Sequence, residues 1–159
     1  MSERVFVGLG ANLGDTAAAL DRAVDALAAL PATRVVAQSP RYRSAPLQAC
    51  GPDFLNGVVE LATDLEPEQL LAALQRVEAA HGRERPFRNA PRTLDLDLLL
   101  YGQRCLHTDA LVLPHPRLHE RAFVLAPLLD IAPDIVHPVQ GDLRALYLLV
   151  RGQPIVRLA

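Results

Sequence analysis

Alternating apolar and polar positions mark four extended segments in the first hundred residues of the sequence. Successive side chains of a strand point to opposite faces, so a period of two indicates a half-buried strand. The second segment is interrupted at Pro40, which has no backbone N–H to donate. The pattern therefore predicts strands over residues 4–9, 33–42, 54–63 and 93–101, with a loop rich in turn-forming residues over 43–52.

Two further segments carry apolar residues at every third or fourth position, which is the period of an amphipathic helix. The first begins at Asp15 or Thr16, either of which can cap a helix, and stops at Pro31. The second opens at Pro67 and ends near residues 81–82. The order βαβ–βαβ predicts an α+β fold, namely a ferredoxin-like antiparallel sheet with helices on one face.

The pattern becomes irregular after Gly102 and predicts a C-terminal extension to this core. It contains a short extended piece at 111–113, a helix over about 120–130 and a last helical stretch over 143–150. Pro127 must lie near the start of the first of these helices or kink it. Because no linker or low-complexity tract interrupts the chain, we expect a single domain over residues 1–159.

The fourth predicted strand is the most informative segment, because Asp95 and Asp97 lie on one of its faces. Two carboxylates about 7 Å apart repel each other by about 2 kcal/mol at an effective dielectric constant near 20. Magnesium relieves such repulsion, since it binds one or two carboxylates together with phosphates and water. An edge strand with one solvated face would explain the aspartates equally well. The side chains that alternation turns toward the core are Leu94, Leu96, Leu98 and Leu100.

Arginines immediately before this strand shift the balance toward phosphate chemistry. Of the 16 basic residues in the chain, all are arginine, and four of them fall within residues 83–92. Without lysine the chain cannot carry a Walker A loop, so arginine and metal must handle any phosphate. A cationic loop that leads into two carboxylates matches the needs of polyphosphate transfer. The four arginines are Arg83, Arg85, Arg88 and Arg92.

Composition and charge exclude several classes of protein. The chain has 159 residues, half of them apolar, as in a globular protein. Its net charge of −2 creates no positive field that would attract nucleic acid or an acidic membrane. No apolar run has the length of a signal peptide or a membrane span, so we expect a cytoplasmic protein. Cys50 and Cys105 stand far apart and indicate neither a disulfide framework nor a zinc site.

Two other motif interpretations fail on spacing. The glycine-rich turn at residues 8–14 places Leu13 where a dinucleotide-binding fingerprint needs its third glycine. His115 and His119 are four residues apart, but Pro116 works against a helical pair and no third zinc ligand is evident.

Several short strings occur in a recognisable order along the chain. The most specific reads Pro91-Arg92-Thr93-Leu94-Asp95-Leu96-Asp97. The others are Gly10-Ala11-Asn12-Leu13-Gly14-Asp15, Asp53-Phe54-Leu55-Asn56, Gln75 with Glu78, Gly82 and Arg83, Leu113-Pro114-His115-Pro116, and Arg121-Ala122-Phe123-Val124-Leu125. Over roughly residues 4–135 the chain resembles the 6-hydroxymethyl-7,8-dihydropterin pyrophosphokinase family, with alanine in place of a serine at Ala11.

The resemblance implies a reaction of folate biosynthesis that uses ATP and magnesium. The hydroxymethyl oxygen of the pterin attacks the β-phosphorus of ATP, AMP leaves, and the pterin keeps the diphosphate. Asp95 and Asp97 are expected to bind two magnesium ions that straddle the transferred group. Arg83 and Arg92 are expected to lie nearest the moving phosphates as further catalytic residues.

The resemblance also implies the two substrate sites. Phe54 and Phe123 are expected to sandwich the pterin ring while Asn56 hydrogen-bonds its edge. Backbone groups of Ser44, Ala45, Pro46 and Leu47 complete that pocket. The expected ATP-binding residues are Gln75, Glu78, Arg85, Arg88, Leu98, His115 and Arg121. Loops over 43–52 and 83–92 are expected to close over the substrates and exclude water.

An alternative from another class stays open at this point. A ferredoxin-like fold can serve as a non-catalytic ligand-binding module, since fold alone does not establish chemistry. From the residues alone, Phe54 and Phe123 fit a core, Asn56 a turn or edge, and His115 a surface position. Their functional roles rest on the resemblance, as does the expectation of a monomer that acts on small molecules.

Overall fold

The computed structural model describes residues 3–45, 52–81 and 94–158. The strands are β1 (Glu3–Ala11), β2 (Thr33–Gln38), β3 (Tyr42–Ser44), β4 (Phe54–Thr63), β5 (Asp95–Tyr101), β6 (Leu106–His107), β7 (Val112–Leu113), β8 (Val136–His137), β9 (Gly141–Asp142) and β10 (Ile155–Arg157). The helices are α1 (Thr16–Ala28), α2 (Pro67–Ala80), α3 (Ala122–Ile131) and α4 (Leu143–Val150), with a 3-10 turn at Leu118–Glu120.

The central sheet has the ferredoxin-like order that the pattern predicts. β1 lies between β4 and β5 and pairs antiparallel with both of them. On its other side β4 pairs antiparallel with β2 and, further along, with β3. The C-terminal strand β10 adds to the outer edge of β3. The predicted α+β class and antiparallel sheet are confirmed.

Several predicted boundaries agree closely with the structure. β4 and α4 begin and end where the pattern places them, and α2 opens at Pro67. Asp15 is the N-cap of α1, because its carboxylate accepts a hydrogen bond from the backbone N–H of Ala18 at 3.0 Å. A capping side chain or a proline therefore located the starts of these helices, whereas α1 ends at Ala28, before the Pro31 that was expected to stop it.

The second predicted strand divides at Pro40, as the sequence indicates, but the loop predicted over 43–52 begins too early. Arg43 and Ser44 belong to β3, where Ser44 pairs with Phe54 of β4. Between β2 and β3, the Ser39 hydroxyl accepts the backbone N–H of Val58 at 2.9 Å. This contact holds the break against β4, so the chain resumes pairing after the proline.

The two helices of the βαβ–βαβ core lie on one face of the sheet as predicted, and the helices of the C-terminal extension cover the other face. α1 and α2 pack over the side chains of Val5, Val7 and Leu9. α3 and α4 pack over Phe6 on the opposite face and form a second core there. The pattern did not indicate this layer because α3 carries one charged residue, Asp130, and shows little contrast between its faces.

A β-bulge in β5 also corrects the predicted orientation of Leu100. Leu98 pairs with Val7, but Leu100 pairs with Phe6, so Leu99 is an extra residue in the ladder. Leu94, Leu96 and Leu98 pack in the core under α1 and α2 as predicted. Leu100 instead packs in the second core, because the bulge reverses the alternation of side chains.

The first C-terminal helix also differs in detail from its prediction. The chain makes a 3-10 turn at Leu118–Glu120 before α3 begins at Ala122. Pro127 is the sixth of the ten residues of α3 rather than near its start. Because proline has no N–H, the carbonyl of Phe123 lacks its usual helical partner. None of the helices in the described part of the chain is both long and apolar enough to cross a bilayer.

Candidate active site

A cavity of about 160 Å³ lies between the sheet and the N-terminal end of α3. Its floor is formed by β1, β4 and β5, and its walls by the end of β3 and by α3. The structure brings eight predicted site residues to this one cavity, from β3 and the residue after it, from β4 and β5, and from α3 with its N-cap. They are Ser44, Ala45, Phe54, Asn56, Asp95, Asp97, Arg121 and Phe123.

Strand register explains why the two aspartates face the cavity. Asp95 pairs with Gly10 of β1, and Asp97 pairs with Gly8. Gly10 in turn pairs with Asn56 of β4, so these polar side chains follow one cross-strand row. Both aspartates are half-buried. The strand therefore presents two carboxylates to the cavity side of the sheet, while its leucines fill the core beneath.

Asn56 contributes a fixed hydrogen-bond acceptor to the same cavity. Its Nδ2 donates to the hydroxyl oxygen of Ser44 at 2.7 Å, and both residues are 5% exposed. Its Oδ1 then lies on the cavity side, 3.6 Å from the point where a Cβ on Gly10 would stand. A ligand with N–H donors along one edge would find its acceptor there.

Two phenylalanines from different layers line the cavity. Phe54 comes from β4 and Phe123 from the first turn of α3, and both are half-buried. The guanidinium carbon of Arg121 lies 5.6 Å from the centre of the Phe123 ring, within the range of a cation–π contact. The cavity thus combines two aromatic surfaces with an amide, two carboxylates and one guanidinium group.

A second set of predicted residues contacts the outer edge of β5, which is the edge that does not pair with β1. The Glu78 carboxylate, only 4% exposed, accepts the backbone N–H of Leu96 at 2.8 Å. The backbone N–H of His115 donates to the carbonyl oxygen of Leu99 at 2.9 Å. Leu98 is buried, and its backbone faces the same edge because it lies two residues after Leu96. Gln75 is exposed, one helical turn before Glu78.

His115 is held in its neutral form at this edge. Burial, followed by the guanidinium groups of Arg121 and Arg117, lowers the pKa of His115 to about 4, while the Asp95 carboxylate acts in the opposite direction. The imidazole Nδ1 accepts the backbone N–H of Arg117 at 3.2 Å, which leaves the proton on Nε2. At neutral pH the ring is therefore an uncharged hydrogen-bond donor within the electrostatic influence of Asp95.

In the glycine-rich motif over residues 10–15, at the end of β1, several residues have structural roles. Asn12 is 2% exposed and its Nδ2 donates to the carbonyl oxygen of Pro52 at 3.3 Å, which ties β1 to the start of β4. Gly14 has a φ of 67°, a conformation that suits glycine, and Asp15 caps α1. Ala11 is fully buried, so an apolar alanine fits at the position where the resembled family has a serine.

Six of the predicted site residues fall outside the described residues. Two of them, Pro46 and Leu47, were expected to complete the pterin pocket. The other four were expected to contact ATP and its phosphates, namely Arg83, Arg85, Arg88 and Arg92. Their roles stay predictions.

Sequence reasoning did not identify Gly8 and Gly10, the two glycines of β1 that line the cavity. The signal was present, because Phe6, Gly8 and Gly10 alternate along β1 on the face opposite Val5 and Val7. The sequence pattern does not predict a helix layer over that face, so it gives no reason to expect a cavity beside these glycines.

The aspartate pair fits the ligand set of magnesium. Asp95 and Asp97 offer two carboxylates from one rigid strand to an open cavity. In the described part of the chain, no group of three or more His, Cys, Asp or Glu side chains is placed to hold a metal ion. A pair of carboxylates is what magnesium takes from a protein when substrate phosphates and water fill its other positions.

Comparison with known proteins identifies the family. Residues 6–133 match the family described as 7,8-dihydro-6-hydroxymethylpterin-pyrophosphokinase. The chain belongs to this family. A pyrophosphokinase from Pseudomonas aeruginosa, named for 2-amino-4-hydroxy-6-hydroxymethyldihydropteridine, is 50% identical over 139 residues, which are 87% of this chain and 86% of that protein. A relative of the same name from Methylorubrum extorquens is 48% identical over 134 residues, covering 84% and 85%.

Solved structures support the same fold. The chain superimposes with a TM-score of 0.75 on a Plasmodium falciparum HPPK-DHPS crystal structure, at 13% identity. The match covers 94% of this chain but 45% of the other, so the chain spans less than half the length of that protein. The family and the fold that the resemblance implied are both confirmed.

Proposed function

We propose that this chain transfers diphosphate from ATP to the hydroxymethyl group of 6-hydroxymethyl-7,8-dihydropterin and releases AMP, a step in tetrahydrofolate biosynthesis. The observation that carries this proposal is the meeting of Asp95 and Asp97 with Asn56 and two phenylalanines in one cavity. The family and its two named relatives, at 50% and 48% identity, are pyrophosphokinases of this substrate. This agreement favours an enzyme over a non-catalytic binding module.

The pterin occupies the cavity between Phe54 and Phe123. Flat aromatic surfaces from two separate elements suit a planar bicyclic ring, which gains both burial and stacking. Asn56 accepts hydrogen bonds from the N–H groups along the ring edge, because its Nδ2 is turned to Ser44 and its Oδ1 lies beside Gly10 on the cavity side. Ala45 closes this end of the cavity, with Pro46 and Leu47 proposed beside it.

The hydroxymethyl oxygen then lies toward Asp95 and Asp97, the residues that would hold two magnesium ions. Bound magnesium would neutralise charge on the phosphate oxygens and align the attacking and leaving groups. A new bond forms between the pterin oxygen and the β-phosphorus. The bond from that phosphorus to the oxygen shared with the α-phosphate breaks, so AMP leaves with this oxygen and the pterin hydroxyl loses its proton.

ATP lies along the outer edge of β5 and reaches the cavity from that side. Backbone groups of Leu98 offer a donor and an acceptor to the base, while His115 donates from Nε2. Arg121 contributes positive charge at the cavity rim. Gln75, Glu78, Arg85 and Arg88 complete the proposed ATP site, with Arg83 and Arg92 nearest the transferred phosphates.

The chain acts, in this proposal, as a single domain over residues 1–159 and as a cytoplasmic monomer. Helices cover both faces of the six-stranded sheet, and strands β1, β4 and β5 contribute side chains to both cores, which supports one folding unit. The net charge of −2 supports small-molecule substrates rather than nucleic acid or a membrane surface.

A product assay tests the proposed function. The purified chain is incubated with ATP, magnesium and the dihydropterin alcohol, alongside controls that lack either the pterin or the metal. AMP that forms only with all three components supports diphosphoryl transfer. Formation of ADP would mean attack at the γ-phosphorus and an ordinary kinase. A folded chain that binds the pterin yet makes neither nucleotide would be a binding module.

A further inference from the structure

Two glycines of β1 form part of the cavity floor. The folding of the chain does not require glycine at either position. Gly8 and Gly10 lie in the middle of the strand, paired with the two aspartates. Neither has a positive φ, in contrast to Gly14, so their backbone conformation is open to any residue. Glycine inside a strand is less favourable than alanine, because it loses more conformational freedom on folding.

The space beside each glycine would also accept a methyl group. A Cβ on Gly10 would stand 3.6 Å from Oδ1 of Asn56, 3.8 Å from Phe54 and 4.0 Å from the Cβ of Asp95. A Cβ on Gly8 would stand 3.5 Å from the side chain of Leu99. These are ordinary van der Waals separations, so neither methyl would displace its neighbours.

A side chain at these positions would occupy the cavity instead. At Gly10 it would cover the acceptor Oδ1 of Asn56 and fill the gap between that amide and Asp95. A ring nitrogen that donates to Oδ1 approaches to about 2.9 Å, and a methyl on Gly10, 3.6 Å from the same oxygen, would take up space that the ring edge needs beside it. The absent side chains are therefore part of the shape of the binding site.

We propose that Gly10, with Gly8 beside it, is a specificity determinant that admits a flat bicyclic ring with an edge of N–H donors. Because these two residues have no side chain, the edge of the ring can lie between the Asn56 amide and the two aspartates. A ligand lacking these donors leaves the buried Asn56 acceptor unsatisfied and is rejected. This inference rests on the proposed function, since it takes the pterin as the occupant of the cavity.

The test compares Gly10→Ala, Gly10→Val and Gly8→Ala with the wild type. Gly152→Ala is the matched control, because nothing lies within 4 Å of its added Cβ and it lies away from the cavity. Calorimetry measures the Kd of the dihydropterin alcohol and, separately, of a magnesium complex with a non-hydrolysable ATP analogue. Thermal unfolding measures the Tm of each variant.

We expect Gly10→Ala to raise the pterin Kd at least tenfold, Gly10→Val to raise it further, and Gly8→Ala to raise it severalfold. The Tm of the two alanine variants should stay unchanged or rise by about 2 °C, and nucleotide affinity should not move. Gly152→Ala should bind the pterin as the wild type does.

Two results would overturn the inference while leaving the proposed function intact. One is a Gly10→Ala variant that binds the pterin within twofold of the wild type. The other is a Tm loss above about 5 °C in that variant, which would give the glycine a folding role. A wild-type chain that binds no pterin would instead reject the proposed function itself.

Discussion

At the scale of single residues, His115 shows how burial selects a protonation state for a polar site. Its ring lies near two arginines and one aspartate, and the balance of burial and charge keeps it neutral. A cation at this position would repel the guanidinium of Arg121, whereas a neutral donor can share the edge of the cavity with it. Sequence could not indicate this state, because Arg117 and Arg121 surround His115 only after the chain has turned around the Pro116 segment.

The depressed pKa of His115 predicts a pH dependence of stability. The unfolded histidine takes a proton below about pH 6.5, and the folded one only below about pH 4, so stability is complete above 6.5 and falls between these values. Allowing for partial exposure of the ring, we expect a loss of about 1 kcal/mol between pH 7 and pH 5. His115→Gln lacks this loss, so its Tm should fall about 2–4 °C less over that range. Equal slopes for the two proteins would show that the ring is solvated.

At the scale of elements, β5 is the strand on which the candidate site depends. One face carries Asp95 and Asp97, the other fills the core, and Glu78 holds the outer backbone edge between the aspartates. The alternation of the strand and the face of its carboxylates were readable from the sequence. The bulge at Leu99 was not, because a run of three leucines fits either register equally well.

Removal of the Glu78 carboxylate should loosen this edge. Glu78→Ala leaves the buried N–H of Leu96 without the acceptor it now has, which should cost about 1–3 kcal/mol of unfolding free energy. Glu78→Gln keeps an amide oxygen as acceptor and should lose less than Glu78→Ala. Urea denaturation of both variants measures the difference. A smaller loss for the alanine variant would mean that the contact with Leu96 does not stabilise β5.

At the scale of the whole molecule, the site exists because the sheet has two covered faces. α1 and α2 give the chain the ferredoxin-like core that the hydrophobic pattern predicts. α3 brings Arg121 and Phe123 over the opposite face, where they line the same cavity as Asn56 and the two aspartates. That second layer was the largest gap in the sequence-based prediction, since α3 has an apolar composition without a clear periodic face. The family resemblance nevertheless placed both residues in the site.

The second core should contribute to global stability like the first. Leu100 is 1% exposed beneath α3 and α4, so Leu100→Ala should lower the free energy of unfolding by about 2–5 kcal/mol. Leu149→Ala is the control, because that side chain is 80% exposed and its loss should cost less than about 0.5 kcal/mol. Chemical denaturation compares the two. Similar small losses would mean that the second layer packs only loosely on the sheet.

The central claim is that the carboxylates of β5 carry metal-dependent diphosphoryl transfer, and the turnover of Asp97→Asn tests it most directly. Asp134→Asn serves as control, because it removes an exposed carboxylate away from the cavity and leaves the same net charge. At saturating ATP, magnesium and pterin, AMP release by Asp97→Asn should fall at least about a thousandfold, while pterin binding and Tm stay near wild type. Near-normal turnover in Asp97→Asn would contradict the account.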